Sequence, residues 1–352
     1  MEQDVALMAE MGLRAYRFSI SWSRVLPTGT GAVNQAGLDF YSRLVDCLLK
    51  HNIQPLATLY HWDLPTPLQD QGGWENRATA EAFADYAELM TKHLGDRVEK
   101  WITHNEPWCA TFLGYGIGIH APGIKNIPVV GIVAHNILLS HGLALPRMRA
   151  QLKETAQIGI APNLFPVYTT EKSAAALERV EQELDFRNRW FLDPVFKGHY
   201  PPNLFKHLNC QAPDIQPGDM ELISAPVDFL GINYYNPLHL DTWKESEQPG
   251  EKQNSFEILN ASPDAEITAM GWEVYPQGLQ DLLAWLQQNY AVPAIYITEN
   301  GSAFPDHLTR IDAEERVVDE QRLRYLRGHI EAISRAIEQK KTPLSKAISP
   351  GP

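Results

Sequence analysis

Two spacings of apolar residues alternate along this chain. Residues 15–25 (AYRFSISWSRV) set Tyr16, Phe18, Ile20 and Trp22 against Arg17, Ser19 and Ser21, a two-residue period that predicts a β-strand. Apolar-rich segments at 55–62, 98–106, 157–164, 228–235 and 294–300 read as further strands. Between them the spacing becomes helical, predicting helices over 37–51, 76–95, 129–152, 174–191, 276–290 and 313–339. A short amphipathic helix over 2–12, carrying Leu7, Met8 and Met11, precedes the first strand. The polar stretch 241–268 reads as a long loop, and 341–352 (KTPLSKAISPGP) as an irregular tail. No repeat or linker divides the rest, so residues 1–340 are expected to form one domain.

Strand–helix alternation implies an α/β fold with parallel strands and helices outside. The candidates are a doubly wound open sheet and a (β/α)8 barrel. A doubly wound nucleotide-binding sheet usually carries a glycine-rich loop after its first strand. Here that strand runs into Ser-Arg-Val-Leu-Pro-Thr-Gly, with no phosphate-cradling pattern. Polar and aromatic residues instead collect at the C-terminal ends of successive strands: His61-Trp62, Asn105-Glu106, Asn163, Asn233-Tyr234-Tyr235 and Glu299-Asn300. Barrel enzymes keep their active sites at that face. The expected fold is therefore a (β/α)8, TIM-barrel-type domain, incomplete, with about six of the eight strand–helix units recognisable.

Composition narrows the partners. The 352 residues hold 30 Lys plus Arg and 43 Asp plus Glu, a net charge of −13, which disfavours nucleic acid and anionic lipid. No uninterrupted apolar run suggests a membrane span, and MEQDVALMAEMG lacks the regions of a signal peptide. Three scattered cysteines, Cys47, Cys109 and Cys210, suit a reducing compartment, so a cytoplasmic location is expected. With 9 Trp, 13 Tyr and 12 Phe beside many carboxylates, the chain suits carbohydrate ligands, whose ring faces are apolar and whose rims are hydroxyls, although aromatic residues also fill cores.

Two carboxylates carry the chemistry. Glu106, in Trp-Ile-Thr-His-Asn-Glu-Pro-Trp, ends an apolar run, and Pro107 turns it away from helix. Glu299, in Ile-Tyr-Ile-Thr-Glu-Asn-Gly, ends another before an Asn-Gly turn. Together at one barrel face, one can donate a proton while the other attacks or positions water; singly, each would read as a solvated strand end. Arg17 shares its strand parity with Ser19 and Ser21; facing the lumen it would need a carboxylate partner, otherwise it faces solvent. His61 and Trp62 can offer a hydroxyl partner and a ring face. His61, His104, His120, His135 and His141 show no metal-ligand spacing, so neither metal nor cofactor is expected. Cys109 reads as a small buried thiol.

The segments Tyr16-Arg17-Phe18-Ser19-Ile20-Ser21-Trp22-Ser23-Arg24, His61-Trp62-Asp63-Leu64-Pro65, Asn105-Glu106-Pro107, Asn233-Tyr234-Tyr235 and Thr298-Glu299-Asn300-Gly301 occur in one order along nearly the whole chain. In these the chain resembles the family 1 glycoside hydrolases, the β-glucosidase and phospho-β-glucosidase family. The resemblance implies a retaining hydrolase acting on a small β-glycoside or oligosaccharide, with Glu106 as acid/base and Glu299 as nucleophile. It implies that Asn105 meets the sugar 2-hydroxyl, that His61 and Trp62 surround the 3-hydroxyl and ring, and that Asn233 lines the same subsite. Arg17 and Tyr235 would orient the nucleophile, and Trp272, in Met-Gly-Trp-Glu, continues the family's pattern.

Two elements implied by the resemblance are not found. One is a strand before residue 2 with a sugar-binding glutamine. The other is a strand after 313–339 with a tryptophan platform and a glutamate–tryptophan pair; no tryptophan follows Trp285. The sheet is therefore expected to have two unpaired edges. One reading is a working β-glucosidase on an incomplete barrel, with a homodimer capping the open edge. The other is a catalytically impaired, non-catalytic glycan-binding remnant.

Overall fold

A computed structural model describes residues 1–240, 265–311 and 314–339. Its frame is a six-stranded parallel sheet of β1 (Ala15–Ser19), β2 (Gln54–Tyr60), β3 (Lys100–Asn105), β4 (Gln157–Ala161), β5 (Phe229–Asn233) and β6 (Ile295–Glu299), paired in that order. Strands β2 to β6 are buried on both faces, which their near-continuous apolar runs require. Leu56, Ile102, Ala161, Phe229 and Tyr296 pack together on the inner, concave face. The outer residues pack against helices, among them α1 (Glu2–Glu10), α2 (Gln35–Lys50), α3 (Ala78–Leu94), α4 (Val130–Gln151), α5 (Ala174–Leu184), α6 (Trp190–Lys197), α7 (Pro276–Asn289) and α8 (Glu320–Glu338). The order leaves β1 and β6 as the edges of the sheet.

Where strands meet the C-terminal rim, their register breaks twice. Ile102 lies opposite Gly159, but Asn105 lies opposite Ala161, so β3 carries one extra residue. Thr103 and His104 consequently both face α4, bonded to His141 (2.7 Å) and Ser140 (2.8 Å), and Asn105 turns inward. A second shift separates Ile232 opposite Ile297 from Asn233 opposite Glu299. The close approach here needs Gly231: a Cβ would stand 2.9 Å from the Thr298 hydroxyl oxygen.

Several expected boundaries move. The strand expected over 15–25 ends at Ser19, and Trp22–Val25 form a helical turn. That turn sinks the Trp22 indole into the outer core, where it stacks on Tyr86 (centroids 5.1 Å, 7°) and donates to Gly29 O at 3.0 Å. The helix expected over 174–191 widens at Asp185–Arg189 and continues to Lys197 despite Pro194, ending at Gly198, whose φ is 71°. The helix expected over 313–339 starts at Glu320, where the Asp319 carboxylate accepts from the Arg322 amide. Residues 308–311 and 314–317 pair instead as an antiparallel hairpin. Most of the loop expected over 241–268, and the tail 341–352, lie outside the described residues. Within the described part of that loop, Ile267 bridges Glu273.

The α4 helix and the turn before it are long and apolar enough to cross a bilayer, yet 72% of the most apolar window is buried inside the protein. Its His135 accepts the interior too, within reach of Tyr200 (2.9 Å) and Asp219 (3.0 Å), and Asp219 pairs with Arg77.

Trp22 is fully buried against Tyr86, Phe83 and Trp74. Replacing it with alanine is expected to lower the unfolding free energy by about 3–5 kcal/mol. Urea denaturation followed by far-UV circular dichroism measures this. A loss below about 1 kcal/mol would mean that the site collapses and the indole does not anchor the turn.

Candidate active site

The rim residues form one hydrogen-bonded network on the concave side. Its centre is Arg17, which β1 points inward. Its Nε donates to Thr58 Oγ1 (3.0 Å), Nη1 to Glu299 Oε1 (2.6 Å) and Thr298 O (3.2 Å), and Nη2 to Asn105 Oδ1 (2.6 Å). Arg17 therefore has the carboxylate partner that an inward-facing arginine requires, and the pair is largely enclosed, with side chains 10% and 18% exposed. The Tyr235 phenol donates to the other oxygen, Glu299 Oε2, at 2.6 Å. Burial raises the Tyr235 pKa, with the Glu299 charge adding to the effect, so the phenol stays a donor.

Glu106 lies in a different environment. It is buried, and its Oε1 accepts from Asn233 Nδ2 at 2.8 Å. Asn233 Nδ2 also donates to Asn105 Oδ1 (2.9 Å), while Asn233 Oδ1 accepts from Thr298 Oγ1 (2.7 Å). Asn105 Oδ1, which accepts from Arg17, requires a donor from Asn233 and thus fixes which end of the amide meets Glu106. Burial pushes Glu106 up to about 7, helped by the Glu299 charge and opposed by hydrogen bonds from Asn233 and Cys109 and by Arg17.

The backbone is strained at this rim. Glu106 has φ 42° and Trp62 φ 84°, both in the left-handed region. Pro107 keeps Glu106 from right-handed helix, but the residue becomes left-handed rather than extended. Trp62 Nε1 donates to Asn105 O at 2.9 Å, which fixes the indole edge beside the network. Asn105 Nδ2 lies 3.3 Å from His61 Nε2, and burial holds the imidazole below its ordinary range. Trp272 flanks the site from outside, its ring 5.4 Å from that of Tyr235.

Of the residues singled out in the sequence, Arg17, Asn105, Glu106, Asn233, Tyr235 and Glu299 are joined directly by hydrogen bonds. His61 and Trp62 adjoin them through Asn105, and Trp272 through Tyr235. Thr58 and Tyr325 belong to the same network and lie outside those motifs, and Thr298 and Asn300, the neighbours of Glu299 in its motif, join it as well. The inward parity of Thr58 in its strand is a readable signal, whereas nothing local marks Tyr325. Among the described residues no group of His, Cys, Asp and Glu side chains could hold a metal ion. The buried Cys109 thiol is pushed up, chiefly by burial.

A cavity of about 630 Å³ opens over Arg17, His61, Tyr235 and Glu299 and extends to Tyr16 and Tyr41 on the β1 side. Fold and site together define an enzyme of the (β/α)8-barrel class with a paired-carboxylate centre at its C-terminal rim. The sequence model of Glycosyl hydrolase family 1 matches residues 1–347, and the chain belongs to that family. It is 44% identical over 339 residues to β-glucosidase A of Acetivibrio thermocellus, covering 96% of this chain and 74% of the relative. It is 39% identical over 342 residues to β-glucosidase A of Thermotoga maritima, covering 96% and 73%. The structure of the β-glucosidase from Thermotoga maritima in complex with glucoimidazole superposes with a TM-score of 0.90 at 38% identity, covering 99% of this chain and 76% of that one. The incomplete barrel is thus a six-stranded part of that architecture.

The two neighbours of Glu106 predict opposite titration shifts. Glu299→Gln removes a negative charge and should move Glu106 below about 7; Asn233→Ala removes a donor to the carboxylate and should move it above. Carbon-13 NMR of labelled glutamate carboxyls reads both. Equal shifts in one direction would refute this account of the site's electrostatics.

Proposed function

We propose that this protein hydrolyses terminal β-D-glucosides with retention of anomeric configuration. The observation that carries the reading is the contrast between the two carboxylates. Glu299 is held on both oxygens, by Arg17 and Tyr235, as an oriented anion; Glu106 is buried and pushed up to about 7, so it holds a proton near neutrality. Curated relatives named β-glucosidase, at 44% and 39% identity, support the glucoside as substrate.

In the proposed mechanism a Glu299 oxygen attacks the anomeric carbon while Glu106 gives its proton to the departing glycosidic oxygen. The C–O bond to the aglycone breaks and a glycosyl ester to Glu299 forms. Glu106, now ionised, takes a proton from water, whose oxygen displaces Glu299 and releases the sugar. The two carboxyl groups of such a pair stand about 5–5.5 Å apart. Asn105 Oδ1 is taken by Arg17 and Asn233, so the amide's Nδ2 is the end directed at the sugar, as donor to the 2-hydroxyl. His61 and Trp62 would meet the neighbouring hydroxyl and the ring, and Asn233 and Trp272 would complete the subsite wall.

The test is hydrolysis of p-nitrophenyl β-D-glucopyranoside. Wild-type protein should turn it over, with activity falling as pH rises through about 7 and Glu106 loses its proton. Glu299→Gln should abolish turnover, and Glu106→Gln should be rescued by azide with formation of the β-glucosyl azide. Turnover that survives Glu299→Gln, or an α-azide, would sink the retaining assignment. Among the described residues no strand pairs with the outer edges of β1 and β6, which favours one other reading, a glycan-binding protein without turnover. Folded wild-type protein that binds glucose analogues but releases no nitrophenol would establish it. Light scattering on the same sample reads whether a second copy caps those edges.

A further inference from the structure

Tyr325, on α8, stands outside the set of residues that face the cavity, yet it ties together the two loops that meet at Glu299. Its hydroxyl donates to Tyr235 O at 3.0 Å and accepts from Asn300 Nδ2 at 3.0 Å. The same Asn300 amide nitrogen donates to Tyr234 O at 2.8 Å. Asn300 directly follows Glu299, the acceptor of the short bond; Tyr235 carries the phenol that donates it. One phenol oxygen is therefore a shared anchor for both halves of the Tyr235–Glu299 contact.

The anchor itself is held firmly. Tyr325 is 1% exposed. The His329 imidazole stacks on its ring (centroids 3.9 Å, 26°), and His329 Nδ1 lies 2.7 Å from Tyr325 O. Burial raises the Tyr325 pKa, so the hydroxyl remains a donor to Tyr235 O throughout the neutral range. Without that hydroxyl the Tyr235 carbonyl would lose its donor, and Asn300 Nδ2 would keep only Tyr234 O. The Tyr235 backbone would then be free to shift, and a shift of a few tenths of an ångström is enough to misalign a 2.6 Å bond.

We infer that Tyr325 is a positioning residue for the reaction: from helix α8 it fixes the backbone of Tyr235 and the Asn300 turn, and so sets the orientation of the Glu299 carboxylate. The inference rests on the reading of Glu299 as nucleophile, and its test separates the two.

The experiment compares Tyr325→Phe with Ile333→Ala, a buried change on the same helix that touches none of these bonds. Each is made in wild-type protein and in protein carrying 3-fluorotyrosine at position 235. In Tyr325→Phe, kcat for p-nitrophenyl β-D-glucopyranoside should fall about 10- to 100-fold with KM changed less than about threefold. The fluorine-19 resonance of position 235 should shift or broaden. Ile333→Ala should lower the melting temperature while leaving kcat and the resonance in place. Tyr325→Phe with unchanged kcat and resonance would overturn the inference, as would equal effects from Ile333→Ala. If folded wild-type protein has no turnover, the proposed function fails, and the fluorine comparison alone then decides whether Tyr325 holds Tyr235.

Discussion

The ion pair between Arg17 and Glu299 is the constraint around which the concave face is arranged. β1 and β6 are the two edges of the sheet, four strands apart in pairing order, yet their side chains meet at 2.6 Å. The contact therefore spans the gap that backbone hydrogen bonds leave open. A guanidinium taken largely out of water must find acceptors for its donors. Arg17 finds them on β2, β3 and β6, and two of the acceptors, Asn105 and Glu299, each take a further hydrogen bond, from Asn233 and Tyr235. Orientation passes outward from this one cation: Asn105 turns its carbonyl oxygen to Arg17, Asn233 aligns on Asn105, and Glu106 accepts from Asn233.

The same arrangement separates two chemically identical side chains. Glu299 receives a cation on one oxygen and a phenol on the other. Glu106 receives an amide and a thiol and sits buried near the like charge of Glu299. Burial and like-charge repulsion both disfavour its ionised form. The proposed division of labour thus follows first from the burial of Glu106 and then from the placement of Arg17 and Tyr235 on Glu299.

Much of this was legible in the sequence, for identifiable reasons. The alternation around Arg17 left it facing either the lumen or solvent, and an inward arginine demands an acid, which the structure supplies in Glu299. The tips Asn105-Glu106 and Glu299-Asn300 were readable because each apolar strand ends abruptly in groups that cannot be buried without partners. Boundaries were less legible. Residues 20–25 keep a period of two, but the Trp22 indole finds its partners in the outer core and pulls the chain into a turn. The paired segments 308–311 and 314–317 lie in polar sequence whose pairing is not encoded by apolar spacing. Tyr325 was invisible because its role depends on a helix–loop contact 25 residues from Asn300.

The extra residue in β3 has a consequence for how this region can vary. In a regular strand, side chains alternate strictly, and a one-residue shift turns each of them to the other face. Here the alternation is broken between Ile102 and Asn105, so the outward pair Thr103 and His104 depends on chain length as much as on residue type. Loss of one of the two outward residues would restore strict alternation and leave Asn105 inward opposite Ala161, but would remove either the contact to His141 or the contact to Ser140 on α4. The extra length of WITHNEP therefore seats a second polar side chain on α4 without turning the inward face of its tip.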